Sequence, residues 1–163
     1  MTSLSSPSLL AAAIAVHTVE EAAMLPSYQW ALGLTPVNTI FETFLDSLPI
    51  FIVLPLASEF LAKRWSNGIR LVLATVCLVH PLSDHAYFTL KMNRLRPGSV
   101  TALLLLLPLG IWNIFHQPLR ADTRRTCISN LTLSDLGGIA LGGLISYFLY
   151  SEVAREFRAL GVY

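Results

Sequence analysis

Long apolar runs fill most of the chain, and isolated polar residues break them at helical spacings. Leu9 to Val16 is wholly apolar, and His17, Glu20 and Glu21 follow it directly. Leu103 to Leu107 is an unbroken run of leucine. Runs of this kind, apolar on every side, predict helices surrounded by lipid rather than by water. The pattern predicts five. The first covers Ser8 to Met24, with Ser5, Ser6 or Ser8 available to cap it and Pro26 closing it. The second covers Thr39 to Ala62, where Pro49 and Pro55 each remove a backbone donor and favour a kink. The third covers Ile69 to Met92 with Pro81 near its middle, the fourth Val100 to Phe115, and the fifth Leu133 to Val153. Leu25–Asn38, Lys63–Gly68, Asn93–Ser99 and Gln117–Thr132 are then linkers.

Composition agrees with this pattern. The 163 residues suit one domain, 1–163, and 54% are hydrophobic against 13% charged. An ordinary soluble domain carries about 25% charged residues. The expected fold is therefore all-α, a single integral membrane bundle of about five transmembrane helices, some of them Pro-kinked. Met1 to Leu10 lacks the basic start of a secretory signal, so the first helix is expected to be retained. Net charge is +1 with no basic cluster, which argues against nucleic acid as a partner. Cys77 and Cys127 give neither a metal spacing nor a disulfide framework. Basic residues divide evenly between the two sides of a five-span bundle, so the positive-inside rule assigns no orientation. In the fifth helix, Gly138 and Gly142 form a flat face suited to close contact, either within the chain or in a homo-oligomer.

The polar residues inside the runs are ordered. His17, Glu20 and Glu21 stand at i, i+3 and i+4 on one helical face. Glu42 and Asp46 share a face of the second helix, and His80 and Asp84 share a face of the third, with Tyr87 a turn further on and His85 rotated away. Asn113 and His116 pair near the end of the fourth. A carboxylate in mid-bilayer costs about 2.5–3.5 kcal/mol on insertion scales, so these groups must find partners inside the bundle. The stripes therefore predict a buried polar pocket. Each group also has a plainer reading. Glu42 complements a helix dipole, Asp84 and His85 pair with nearby Lys91, Arg94 and Arg96, and Glu59, Asp135, Glu152 and Glu156 sit solvated at helix ends.

Two chemistries fit such a pocket. The first is cofactor-free acid–base catalysis by Glu20, Glu21 and Asp46, assisted by His17 and His80, with Glu42, Asp84 and His85 as secondary candidates. It suits epoxide opening or hydrolysis, cyclisation or isomerisation of a lipophilic small molecule such as a polyketide, terpenoid or lipid. The runner-up is a non-haem metal site with His17, Glu20, Glu42 and His80 as ligands. From other function classes, the same acids suit a proton- or cation-coupled transporter or channel, or a membrane assembly subunit. The absence of an internal repeat weakens the carrier reading.

His17-Thr18-Val19-Glu20-Glu21 resembles the signature of a family named for its His-x-x-Glu-Glu motif, small polytopic membrane proteins largely without assigned function. The run Arg96-Pro97-Gly98-Ser99-Val100-Thr101-Ala102-Leu103, preceded by a helix bearing His80 and His85, is similar to that family's second shared region. The resemblance implies roles for His17, Glu20, Glu21, His80 and His85, and supplies no reaction.

Overall fold

The computed structural model describes residues 7–31, 33, 52–53, 63–115 and 132–159, and the regular structure among them is helical. α1 spans Pro7–Ala31. α2 begins as Lys63–His80, widens into a π-helical stretch at Pro81–Ala86 and ends as Tyr87–Met92. α3 covers Ser99–Phe115 and contains a second π-helical stretch, Ala102–Leu106. α4 spans Leu133–Ala159. Pro7–Ala31, Asn67–Met92 and Leu133–Arg155 are long and apolar enough to cross a membrane, and Ser99–Phe115 is apolar but shorter. The helix expected over Thr39 to Ala62, with Glu42 and Asp46, falls almost wholly outside the described residues, as does His116.

Three boundaries differ from the sequence reading. α1 continues through Pro26 to Ala31. Proline removes one internal hydrogen bond, but Tyr28, a few residues on, packs beside Phe88 and holds the last turn in place. The helix stops at Gly33, whose φ is +77° and whose N–H donates to the Trp30 carbonyl at 3.0 Å. Lys63–Gly68, read as a linker, is instead the first part of α2. α4 runs past Val153 to Ala159 because Ala154 and Phe157 are buried against Phe88.

α2 is the central helix and packs against the other three. Leu73, Ala74 and Cys77 meet Leu10, Ala13 and Ile14 of α1 and Leu106 of α3. On its α4 side the contact is between backbones. A Cβ on Gly138 would stand 2.7 Å from the Gly68 carbonyl oxygen, and one on Gly142 would stand 2.7 Å from the Val72 carbonyl oxygen and from Thr75 Cβ. Small residues let helices approach this closely in an apolar setting, where packing rather than water exclusion holds them. The flat glycine face is therefore filled by α2 of the same chain.

The end of the bundle where α2 begins is tied by a polar chain. Arg70 donates to the Asn113 carbonyl at 2.8 Å and to Asn67 Oδ1 at 2.9 Å, and Asn67 Nδ2 donates to Asp135 Oδ1 at 2.8 Å. Asp135 Oδ2 in turn accepts from the Thr132 N–H at 2.8 Å, the reciprocal cap that starts α4. Asp135 is thus buried and partnered rather than solvated.

Gly142→Val tests the α2–α4 contact. Overpacking a filled interface costs about 1–3 kcal/mol, so thermal unfolding in detergent should shift down by several degrees. Gly137→Ala, where an added Cβ meets nothing within 4 Å, should not lower the midpoint, since alanine is the better helix former by about 1 kcal/mol.

Candidate functional site

The i, i+4 spacing of α1 places His17 and Glu21 side by side, with His17 Nε2 3.7 Å from Glu21 Oε2. α2 supplies two more imidazoles through its π-helical stretch. In an α-helix residue 85 would stand roughly 140° around the axis from residue 80. The wider turn, bonded i to i+5, returns it to the same side. His85 Nε2 consequently lies 3.2 Å from His80 Nε2, correcting the expectation that His85 is rotated away. The same change carries Tyr87 off this face. It is exposed along an apolar groove between α2, α3 and α4, and Phe88 takes the interior position. None of the cluster residues lines that groove.

The three histidine rings pack edge to face, with centroids 4.7 to 5.5 Å apart. All three are buried. His17, Glu21, His80 and His85 each offer one donor atom, and the four atoms lie within 4.8 Å of one another.

The turn from α2 into α3 closes over this cluster. Gly98 has φ +76°, and a Cβ there would stand 2.6 Å from His17 Cε1 and 3.1 Å from His85 Cε1. Only glycine lets the backbone pass. The Gly98 carbonyl lies 3.1 Å from His17 Nδ1, and a carbonyl can only accept, so Nδ1 carries the hydrogen. Nε2 then presents its lone pair to the cluster. Thr101 Oγ1 lies beside the same Nδ1 at 3.1 Å.

Glu20 and Glu21 separate here. The Glu20 carboxylate accepts the Thr101 N–H at 2.8 Å, anchoring α1 to the N-terminus of α3, where the helix dipole favours an anion. Glu21 faces the histidines on one side and Arg96 Nη2, at 3.7 Å, on the other. Arg96 also pairs directly with buried Asp84, whose second oxygen stands 3.7 Å from His80 Nδ1. Phe88 and Phe157 flank the guanidinium at 5.6 and 6.0 Å.

Of the residues singled out from the sequence, the structure gathers His17, Glu21, His80 and His85. Glu20 stands outside the cluster as an anchor, and Asp84 stands behind His80. Asp46 and Glu42 lie outside the described residues. The sequence reading gives Arg96 only as an ion-pair partner for Asp84 or His85, a pairing the structure shows for Asp84, and gives Gly98 and Thr101 no role in a site, although the run Arg96-Pro97-Gly98-Ser99-Val100-Thr101 holds all three.

A family profile described as a protein of unknown function with HXXEE motif matches residues 8–113, a stretch that holds every member of this cluster. No curated protein and no solved structure matches the chain.

Two measurements test the construction of the site. Arg96→Met strands the buried Asp84 carboxylate and should cost about 3–5 kcal/mol, most of it recovered when Asp84→Leu is added, as read by unfolding in detergent. Gly98→Ala combines a left-handed backbone cost of about 1–2 kcal/mol with the His17 clash. Gly33→Ala, open to 4 Å at a similar φ, bears the backbone cost alone and should destabilise less.

Proposed function

The chain belongs to the family of proteins with an HXXEE motif, and we propose that it is a multi-pass integral membrane enzyme acting by proton transfer on a lipophilic small molecule. One observation carries the reading: three buried imidazoles and a half-buried carboxylate converge between helices that are otherwise apolar. Polar groups withdrawn from water cost free energy, and a fold retains an elaborate set of them where they work or where they hold the chain together. The Arg70–Asn113–Asn67–Asp135 chain already ties the opposite end of α2 without histidine. The five-span arrangement expected from the sequence belongs with this reading, with α1, α2 and α4 as the long spans.

Glu21 is the group that meets substrate in this proposal. Its side chain is 20% exposed, whereas Asp84 behind it is 1% exposed. The substrate class follows from access: a compound reaching the cluster from the bilayer is itself lipophilic. Epoxide opening or hydrolysis, cyclisation and isomerisation all need a proton delivered to one atom and another removed nearby. For epoxide hydrolysis, the proton goes to the oxygen as its C–O bond breaks, and water attacks the carbon and gives up its own proton to the base. Glu21 and the His80–His85 pair supply these two roles, and His17, fixed through Nδ1, lines the site beside Glu21. Glu20 positions α3 and touches no substrate.

The test compares organic extracts of cells expressing the full chain or a variant at matched membrane levels. A compound formed or consumed with the wild type should change at least 100-fold less with Glu21→Gln, the usual size of a lost general acid or base. Glu20→Gln keeps an oxygen for the Thr101 N–H and should reduce turnover by less than about tenfold. Extracts that do not differ between wild type and Glu21→Gln defeat the proposal.

A further inference from the structure

We infer that His17, Glu21, His80 and His85 bind one divalent first-row transition-metal ion. The inference rests on the proposed function for the lipophilic substrate alone: an ion held by these four side chains would act as the Lewis acid in place of the His80–His85 pair, with Glu21 as one of its ligands.

The spacing fits an ion. Ligands about 2.1 Å from a metal lie roughly 3.4 Å apart in a tetrahedron and roughly 3.0 Å apart at adjacent corners of an octahedron. The His80–His85 nitrogen pair is separated by 3.2 Å and the His17–Glu21 pair by 3.7 Å. The nitrogen pair alone would place the ion at an N–metal–N angle of about 100°. The widest separation, within 4.8 Å, reaches the tetrahedral spacing with about 1.4 Å of side-chain movement shared between the ligands.

The lone pairs point inward. His17 is fixed as the Nδ1–H form by the Gly98 carbonyl, and its buried Nε2 has no hydrogen-bond partner. Without an ion, two imidazole nitrogens at 3.2 Å need opposite tautomers to share one hydrogen. With an ion both can act as acceptors.

His17 also has an outer hydrogen bond of the kind that orients metal ligands, from Nδ1–H to the Gly98 carbonyl at 3.1 Å. His80 Nδ1 stands 3.7 Å from Asp84 Oδ2, and the second oxygen of Glu21 stands 3.7 Å from Arg96 Nη2.

The donor set selects the class of metal. Three imidazoles disfavour magnesium and calcium, which take oxygen ligands, and among the described residues no cysteine joins the group to draw copper(I). Zinc, iron(II), cobalt(II), nickel(II) and copper(II) suit imidazole, and manganese(II) suits the carboxylate. With four protein ligands, an ion accepting five or six keeps room for water or a substrate oxygen.

The full chain should be purified in detergent on a tag free of histidine, dialysed against chelator, and loaded separately with zinc, cobalt(II), iron(II), manganese(II), nickel(II) and copper(II). Elemental analysis should then find about one equivalent of at least one of these metals per chain, and cobalt(II) should give visible ligand-field absorption. His80→Ala and His85→Ala should lower occupancy at least tenfold. Glu21→Gln, at the most exposed ligand, keeps the fold testable and should weaken binding. Asp84→Asn should still saturate, with affinity reduced about 10- to 100-fold. The inference is overturned if the wild type retains less than a tenth of an equivalent of every metal, or if the ligand variants bind as the wild type does. Extract changes that depend on Glu21 in a metal-free protein would remove the ion and leave the enzymatic reading standing. A bound ion with unchanged extracts would do the reverse.

Discussion

Charge held among apolar helices has to be answered from inside the protein, and Arg96 is where this chain answers it. The residue leaves the turn after α2, lies between Phe88 and Phe157, pairs with Asp84 on α2 and approaches Glu21 on α1. Three separate stretches of sequence are fixed relative to one another by that single guanidinium. Water would weaken each of these attractions, but burial leaves little of it nearby. A buried ion pair is poor evidence of net stability, since its formation must first offset desolvation. Its value here is geometric: with Arg96 in place, Glu21 and His80 can face only inward.

Around this anchor, local departures from regular helix do most of the positioning. The π-helical stretch Pro81–Ala86 gives up ideal hydrogen bonding and in exchange sets His80, Asp84 and His85 on one side of α2. Pro81 opens it in mid-helix, where proline removes the i to i−4 hydrogen bond that a regular helix would make. A second π-helical stretch, Ala102–Leu106, follows the turn that carries Gly98 and Thr101 over His17. Both lie beside the cluster rather than at the far end of the bundle, where Arg70, Asn67 and Asp135 form a conventional polar tie. Wide turns of this kind occur frequently at functional sites, because they re-aim side chains without breaking the helix.

Much of the architecture was legible in the pattern of residues. The apolar runs marked α1, α2, α3 and α4, and the spacing of His17 to Glu21 and of His80 to Asp84 marked two faces that had to turn inward. Ends were harder to read. Pro26 looked like a stop, and Lys63–Gly68 and Ala154–Ala159 looked like flanking chain, because local propensity says nothing about Tyr28 and Phe157 closing on Phe88. The expectation of a buried pocket needed only the cost of stranded charge.

What the sequence determined by itself, then, was an all-helical chain rich in apolar surface, with acids and imidazoles at spacings that oblige them to meet. Hydropathy and helical periodicity are local properties, and they suffice for that much. Which groups meet was decided by tertiary structure. Whether Glu20 or Glu21 faces the histidines depends on the rotation of α1 against α3, which the Thr101 N–H to Glu20, the Gly98 carbonyl to His17 and Arg96 beside Glu21 hold together. Whether His85 joins His80 depends on a turn bonded i to i+5, which periodicity taken as 3.6 residues per turn cannot anticipate. Contacts across 80 residues of chain, such as His17 to Gly98, have no trace in local spacing, because distance along the chain and distance in space are independent once helices pack.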